Sequence, residues 1–230
     1  MSAIGILGGM GPQASARLVE LLIEQTSQFV TNPTDSDFPE IIHLSVPVPN
    51  FISNKTNIQK AKTILIKRTK LLEEAGSTIN CIACNTAHLL LPELQAVTKV
   101  PFVSIPKLVA QEVQSRDARR VGLLATPTTL SSTLYDEALH GIAEIIRPNH
   151  TIARQTEQYI FKQLANKLSK MERQEFRRLV DSFLTDNDLD IVVLGCTELP
   201  LVYGQISDQR VISTLDVLST ELLKRYFEHA

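Results

Sequence analysis

The sequence predicts an α/β protein made of two similar lobes, each a parallel sheet covered by helices. Three observations carry that expectation. Short apolar runs alternate with longer amphipathic stretches along the 230 residues, which is the pattern of successive strand–helix–strand units and of strands buried on both faces. The second half of the chain repeats landmarks of the first half in the same order. Each half also delivers a cysteine where an apolar strand passes into a polar loop, the place where open parallel sheets bind ligands.

Taken in order, Ile4–Leu7 is a buried strand running into Gly8-Gly9-Met10-Gly11-Pro12, and Pro12 suits the first turn of a helix because its missing N–H costs nothing there. That helix is expected to reach about Phe29, with Ala14, Leu18, Leu21 and Leu22 on one face. A loop rich in Asn, Pro, Asp, Ser and Thr (32–39) precedes a second strand, Glu40–Val46, which leaves the sheet in extended form through Pro47-Val48-Pro49-Asn50-Phe51. Ser53–Ala75 has helical spacing of Ile58, Ala61, Leu65, Leu72 and Ala75, and Gly76 ends it in the C′ position. The first cysteine strand follows, from Ser77 through Ala83 to Cys84, with Asn85 and Thr86 able to cap a helix. Pro101–Ile105 then enters another helix.

From Val121 the chain starts again. Val121–Thr126 resembles Ile4–Gly9; Thr129–Ile142 reads as helix, Ala143–Ile146 as strand, and Arg154–Lys167 and Lys170–Leu184 as two amphipathic helices. Ile191–Leu194 is the second cysteine strand, ending in Gly195-Cys196-Thr197-Glu198-Leu199, and Arg210–Thr214 leads into a last helix, Asp216–His229. Cys196 minus Cys84 gives 112, Val121 minus Ile4 gives 117, and Val211 minus Val103 gives 108. Three ordered landmarks at nearly one offset argue for a duplicated unit. The expected division is residues 1–104 plus 214–230 for the first lobe and 105–213 for the second, the final helix returning to the first lobe and the site lying in the cleft between them.

Composition limits the partners. A hydrophobic fraction of 43% with 21% charged residues is that of a globular protein. A formal net charge of -2 without a basic block gives no electrostatic reason to bind nucleic acid or an anionic membrane. No apolar run approaches the roughly 18 residues that span a bilayer, and Met1–Leu7 has no basic leader. Three cysteines cannot close a disulfide framework, and a cytoplasmic home is expected.

The cysteines carry the chemistry. Cys81 lies within an apolar strand and is read as packing, whereas Cys84 and Cys196 each end a strand before a threonine-containing loop, where a helix N-terminus would favour the thiolate. Cys81-x-x-Cys84 has the spacing of a metal or redox motif, but no second pair exists and no metal is expected. Gly9-Met10-Gly11-Pro12-Gln13-Ala14 fits the relaxed dinucleotide pattern, yet the second strand ends without the ribose-binding acid. The loop is better suited to present backbone N–H groups to a carboxylate. His88, two residues beyond Thr86, is read as a hydrogen-bonded structural residue able to orient a group near Cys84. No serine sits in a nucleophile elbow, so a hydrolase triad has little support.

With G-G-M-G-P at Gly8–Pro12, C-N-T-A-H at Cys84–His88 and G-C-T-E-L at Gly195–Leu199, the chain resembles the aspartate/glutamate racemase family over essentially its whole length, most of all the aspartate racemase branch. The resemblance implies two Rossmann-like lobes related by pseudo-twofold symmetry, no pyridoxal phosphate or metal, a homodimer, and Cys84 and Cys196 as paired acid and base. It places Met10, Gly11, Asn85, Thr86 and Thr197 around the substrate carboxylate, joined by Thr126, Thr128 and Thr129 from the second lobe. Two features depart from that family. Where it tends to have P-D-R after the second strand, this chain has Pro49-Asn50-Phe51, putting Asn50 in the side-chain pocket. The family's lysine after the long helix falls on Ala165, leaving Lys167, Lys162 or Lys55 as substitutes. A buried carboxylate without a cation is costly, so a neutral or longer substrate is expected besides aspartate and glutamate. The alternatives are another isomerase or decarboxylase of the same superfamily acting on a small carboxylate, or a binding protein without turnover. A nucleotide-dependent oxidoreductase stands further off.

Overall fold

The computed structural model describes residues 2–49 and 57–228. Asn50, Phe51, Ser53 and Lys55, named above, lie outside the described residues, as does His229. Within the described residues there are two four-stranded parallel sheets. Strands β1 (Ala3–Gly8), β2 (Glu40–Ser45), β3 (Ile79–Ile82) and β4 (Phe102–Val103) form one sheet in the order β2-β1-β3-β4. Strands β5 (Arg120–Leu124), β6 (Glu144–Ile146), β7 (Ile191–Leu194) and β8 (Val211–Ser213) form the other in the order β6-β5-β7-β8. The two sheets share one topology, and β3 and β7 differ by 112 residues at both ends, the same offset as their cysteines.

The central strands are the continuous apolar runs, and the reason is their double coverage. Every residue of β1, β3 and β7 is buried, as expected of parallel strands with helices on both faces. The register aligns Ile4 with Ile41 on one side and Ile79 on the other, and Val121 with Ile145 and Ile191 in the second sheet. The edge strand β2 is only half-buried.

Helix α1 (Pro12–Gln25) starts with proline at its first turn and buries Ala14, Ser15, Leu18, Leu21 and Leu22. It stops short of Phe29: residues 26–28 tighten into a 3₁₀ turn, and the Thr26 hydroxyl bonds the Leu22 carbonyl at 2.8 Å. Helix α2 (Ile58–Glu74) buries Ala61, Leu65, Thr69 and Leu72. Its end is closed by Gly76 at φ +96°, with Ser77 N–H on the Leu72 carbonyl at 3.0 Å.

In the second sheet's unit the single helix expected over 129–142 is instead two short ones, α5 (Pro127–Leu130) and α6 (Leu134–Leu139). The hydroxyls of Ser131 and Ser132 bond the carbonyls of Thr128 and Thr129 at 3.2 and 2.7 Å, taking acceptors a continuous helix needs. Helix α7 (His150–Leu164) begins four residues before its expected start, since Asn149 caps it by accepting from Ile152 N–H at 2.9 Å. Helix α8 (Lys170–Asp186) opens on a capping box between Ser169 and Glu172.

The chain divides into two compact units, Met1–Ser104 with Leu215–Ala230, and Ile105–Thr214. Helix α4 (Ile105–Ser115) therefore follows β4 but belongs to the second unit, and α10 (Thr214–Glu228) follows β8 but packs on the first. There the Ser219 hydroxyl donates to Gln25 Oε1 at 2.8 Å and the Phe227 ring stacks on Phe29 with centroids 5.4 Å apart. Each unit has its own core: Leu7, Leu65, Leu72 and Ile82 in the first, Phe176, Val180, Phe183 and Val192 in the second. No helix among the described residues is long and apolar enough to cross a membrane.

Candidate active site

In the first unit, sheet pairing carries through β3 to the residue before the cysteine, with Ala83 N–H on the Leu7 carbonyl at 2.9 Å. Cys84 then leaves the carboxyl end of the strand, 5% exposed. Asn85, Thr86 and His88 are buried beside it in sequence. The chain does not pass directly into a capped α-helix as expected. Asn85 makes no side-chain cap, residues 86–90 form a 3₁₀ turn, and the α-helix α3 begins only at Leu91 (Leu91–Gln95). The turn is held by His88, whose Nδ1 lies 2.8 Å from the Cys84 carbonyl oxygen. Burial outweighs its hydrogen bonds to backbone carbonyls and pushes the imidazole pKa down to about 4, so the ring is neutral near pH 7.

The neighbouring β1 loop carries Met10 and Gly11, both buried. Gly9 has φ +88°, and a Cβ there would lie 2.3 Å from the Val46 backbone nitrogen. Only glycine fits that combination of left-handed backbone and close approach. The Ser15 hydroxyl secures the loop, accepting from Gly9 N–H at 3.2 Å and donating to the Pro12 carbonyl at 3.1 Å.

In the second unit, Gly195 N–H bonds the Leu124 carbonyl at 2.7 Å and the next residue, Cys196, is 4% exposed. A Cβ on Gly195 would meet Leu123 Cδ1 at 2.6 Å and the Leu124 carbonyl oxygen at 3.3 Å, so the backbone before the cysteine is closely packed. Thr197 is buried, and α9 (Leu199–Tyr203) follows with Glu198 at its N-cap position and no side-chain cap. Thr126, Thr128 and Thr129 are also buried. The Thr126 side chain caps α5 by accepting from Thr129 N–H at 3.2 Å, and its hydroxyl donates to Thr129 Oγ1 at 3.1 Å. Lys167 is exposed in the turn that ends α7.

Glu198 belongs to the G-C-T-E-L stretch that follows β7. Cys196 Sγ donates to Glu198 Oε2 at 3.0 Å, and Thr197 Oγ1 donates to the same oxygen at 3.3 Å. Among the described residues Glu198 is the one buried carboxylate, 1% exposed, and no lysine or arginine is buried. Tyr135 is a second neighbour: it is buried, and burial with the nearby Cys196 charge pushes its phenol above the usual range. No signal in the sequence distinguishes either from an ordinary surface acid or core aromatic. Cys81 is fully buried, and desolvation raises its thiol above the usual range, so it stays protonated. Among the described residues no group of three His, Cys, Asp or Glu side chains is placed to hold a metal.

Two parallel sheets share one topology, and a buried cysteine lies two residues beyond a central strand of each; the sequence matches the model of the Asp/Glu/hydantoin racemases. The profile of that family matches residues 7–222, and the chain belongs to it. It is 25% identical over 231 residues to the broad specificity amino-acid racemase RacX of Bacillus subtilis, covering 98% of this chain and 99% of that one. The crystal structure of an aspartate racemase homologue from Pyrococcus horikoshii superposes with a TM-score of 0.81 at 30% identity, over 99% of this chain and 100% of that one. Picrophilus torridus aspartate racemase shares the fold, with a TM-score of 0.76 at 24% identity over 99% and 95% of the two chains.

Proposed function

We propose that the chain is a cofactor-independent amino-acid racemase in which Cys84 and Cys196 act as an acid/base pair on one substrate. The observation that carries this reading is positional. Each cysteine lies two residues beyond the end of the equivalent strand, Cys84 after Ile82 and Cys196 after Leu194. Equivalent thiols in a duplicated fold suit a reaction whose forward and reverse directions are mirror images.

The α-proton of an amino acid is weakly acidic, so a base must act while charge on the carbon is stabilised. One cysteine as thiolate removes the proton, forming S–H and leaving the electron pair on the α-carbon. The other, as thiol, gives its proton to the opposite face and becomes the thiolate. Negative charge moves into the α-carboxylate meanwhile, and donors aimed there lower the barrier. Asn85, Thr86, Thr197, the Met10–Gly11 backbone and Thr126, Thr128 and Thr129 take that role in this reading. Aspartate and glutamate are the reference substrates. The exposed position of Lys167 and the absence of a buried lysine or arginine among the described residues favour neutral amino acids as well. A homodimer in the cytoplasm completes the proposal, with light scattering after gel filtration as its check.

The test is incubation with single enantiomers of acidic and neutral amino acids in deuterated water, without added cofactor, following α-deuteration and optical rotation. Exchange from both enantiomers, lost in both Cys84→Ala and Cys196→Ala, is expected. Undiminished exchange in either variant would refute the paired roles, and binding without exchange across the panel would point to a binding protein.

A further inference from the structure

We infer that Glu198 is a positioning residue for Cys196: its carboxylate holds the thiol proton and receives it when Cys196 acts as base. The inference rests on the racemase reading for its consequence in turnover, but its central contact stands on geometry alone. Cys196 Sγ and Glu198 Oε2 are 3.0 Å apart, well inside the reach of a sulfur hydrogen bond. Both groups are buried, and Thr197 Oγ1 donates to the same carboxylate oxygen at 3.3 Å, fixing its orientation.

A glutamate is almost never fully buried without a compensating role. Glu198 is paired with a thiol. In low dielectric the pair behaves as one unit carrying one shared proton and one negative charge, either S–H with carboxylate or thiolate with carboxylic acid. The step balances simply. The S–H bond breaks and its proton forms an O–H bond at Glu198 Oε2, leaving the electron pair on sulfur. That thiolate takes the substrate α-proton and becomes S–H again, while Cys84 protonates the opposite face. The proton on Glu198 then returns through solvent to the Cys84 thiolate, restoring the starting state.

The first unit solves the problem differently. The residue bonded to the Cys84 backbone is His88, neutral, with Nδ1 on the carbonyl oxygen. The duplicated halves thus present two cysteines at matching positions with unlike neighbours. A racemase has an equilibrium constant of one, so kcat/KM must remain equal for the two enantiomers in any variant. The asymmetry therefore shows in pH dependence and in the titration of the thiol.

Coupling predicts opposite movements of two observables when Glu198 is made neutral. The pair has a low step, in which its anion is protonated, and a high step, in which the last proton leaves. In Glu198→Gln these collapse into one step of an ordinary thiol lying between them. The Cys196 thiolate should therefore form at lower pH, by about one pH unit or more. The acidic limb of kcat/KM should move to higher pH, from the carboxylate toward the thiol range.

The experiment has two arms. In a Cys84→Ala background Cys196 is the one thiol that titrates in the accessible range, since burial keeps Cys81 protonated. Thiolate absorbance is followed against pH with Glu198, Glu198→Asp and Glu198→Gln. In the chain with both cysteines, kcat and KM are followed against pH for the same three side chains. Expected are a lower thiolate midpoint in Glu198→Gln, an intermediate one in Glu198→Asp, and a kcat fall of about 100-fold in Glu198→Gln with KM little changed and part of the loss recovered by aspartate. Should Glu198→Gln fail to fold, the Glu198→Asp midpoint decides, because the shortened side chain withdraws from the sulfur. An unmoved thiolate midpoint overturns the proposal even if the wild type racemises. A moved midpoint in a protein that exchanges no substrate upholds the pair and refutes the racemase reading.

Discussion

The imidazole Nδ1 of His88 lies 2.8 Å from the carbonyl oxygen of Cys84, so the ring is committed to the backbone of the residue four places before it. A carbonyl oxygen only accepts, hence Nδ1 carries the hydrogen. This bond ties the 3₁₀ turn of residues 86–90 back to the cysteine that precedes it.

That bond makes a pH prediction. Burial lowers the His88 pKa from 6.5 to about 4. The unfolded chain therefore binds the extra proton first as pH falls. The stability His88 contributes is full above about pH 6.5 and is lost progressively as pH falls through about 4. Urea midpoints measured between pH 7 and pH 4 should decline in the wild type, and the decline should be shallower in His88→Gln. Parallel slopes in the two proteins would contradict this assignment.

Gly9 and Gly76 both have positive φ, at +88° and +96°, but differ in the space around them. Beside Gly76 there is nothing within 4 Å of an added Cβ, so Gly76→Ala should cost only the backbone strain, about 1 kcal/mol. At Gly9 the added atom meets the Val46 backbone at 2.3 Å, which cannot give way as a side-chain tip can. Gly9→Ala should be markedly more destabilising in chemical denaturation, and should displace the Met10–Gly11 loop enough to lower turnover. Equal costs at the two positions would show that the close approach is unimportant.

Cys81 serves as the control for the cysteine pair. It is fully buried within β3 and its thiol is held protonated. Cys81→Ala should keep racemase activity close to wild type while lowering the melting temperature modestly, in contrast to the same substitution at Cys84 or Cys196. Loss of exchange in a folded Cys81→Ala protein would require a chemical role for this third thiol.

Phe176 anchors the second unit, fully buried beneath Tyr159 and Tyr203, with ring centroids 5.3 and 6.5 Å away in edge-to-face arrangements. Phe176→Ala should cost about 3–5 kcal/mol through lost burial and the cavity left behind. Equilibrium denaturation would check it, and a cost under about 1 kcal/mol would mean the site collapses freely.

Much of the architecture follows from local pattern. Ile4–Leu7, Val121–Leu124 and Ile191–Leu194 are apolar without alternation, and only strands covered on both faces bury every residue of such a run. The same offset relates β3 to β7 and Cys84 to Cys196, so the duplication and its two thiols are legible before any coordinates. The errors are also physical. Helical spacing over 129–142 is real, but the Ser131 and Ser132 hydroxyls compete for the backbone where the helix breaks. Periodicity does not register that competition.

By itself, then, the sequence determined two parallel-sheet halves, their strand order of appearance, and which cysteines end a strand. Those properties depend on the spacing of apolar residues and on neighbours close along the chain. Tertiary structure decided where α1 stops, and that the stretch expected as one helix over 129–142 is two, α5 and α6. It also decided that His88 faces a carbonyl, and that Glu198, which composition would assign to a wet surface, is dry and directed at the sulfur of Cys196. Desolvation is the reason: whether a carboxylate meets water or a thiol depends on how distant segments close over it, and residue order does not state that.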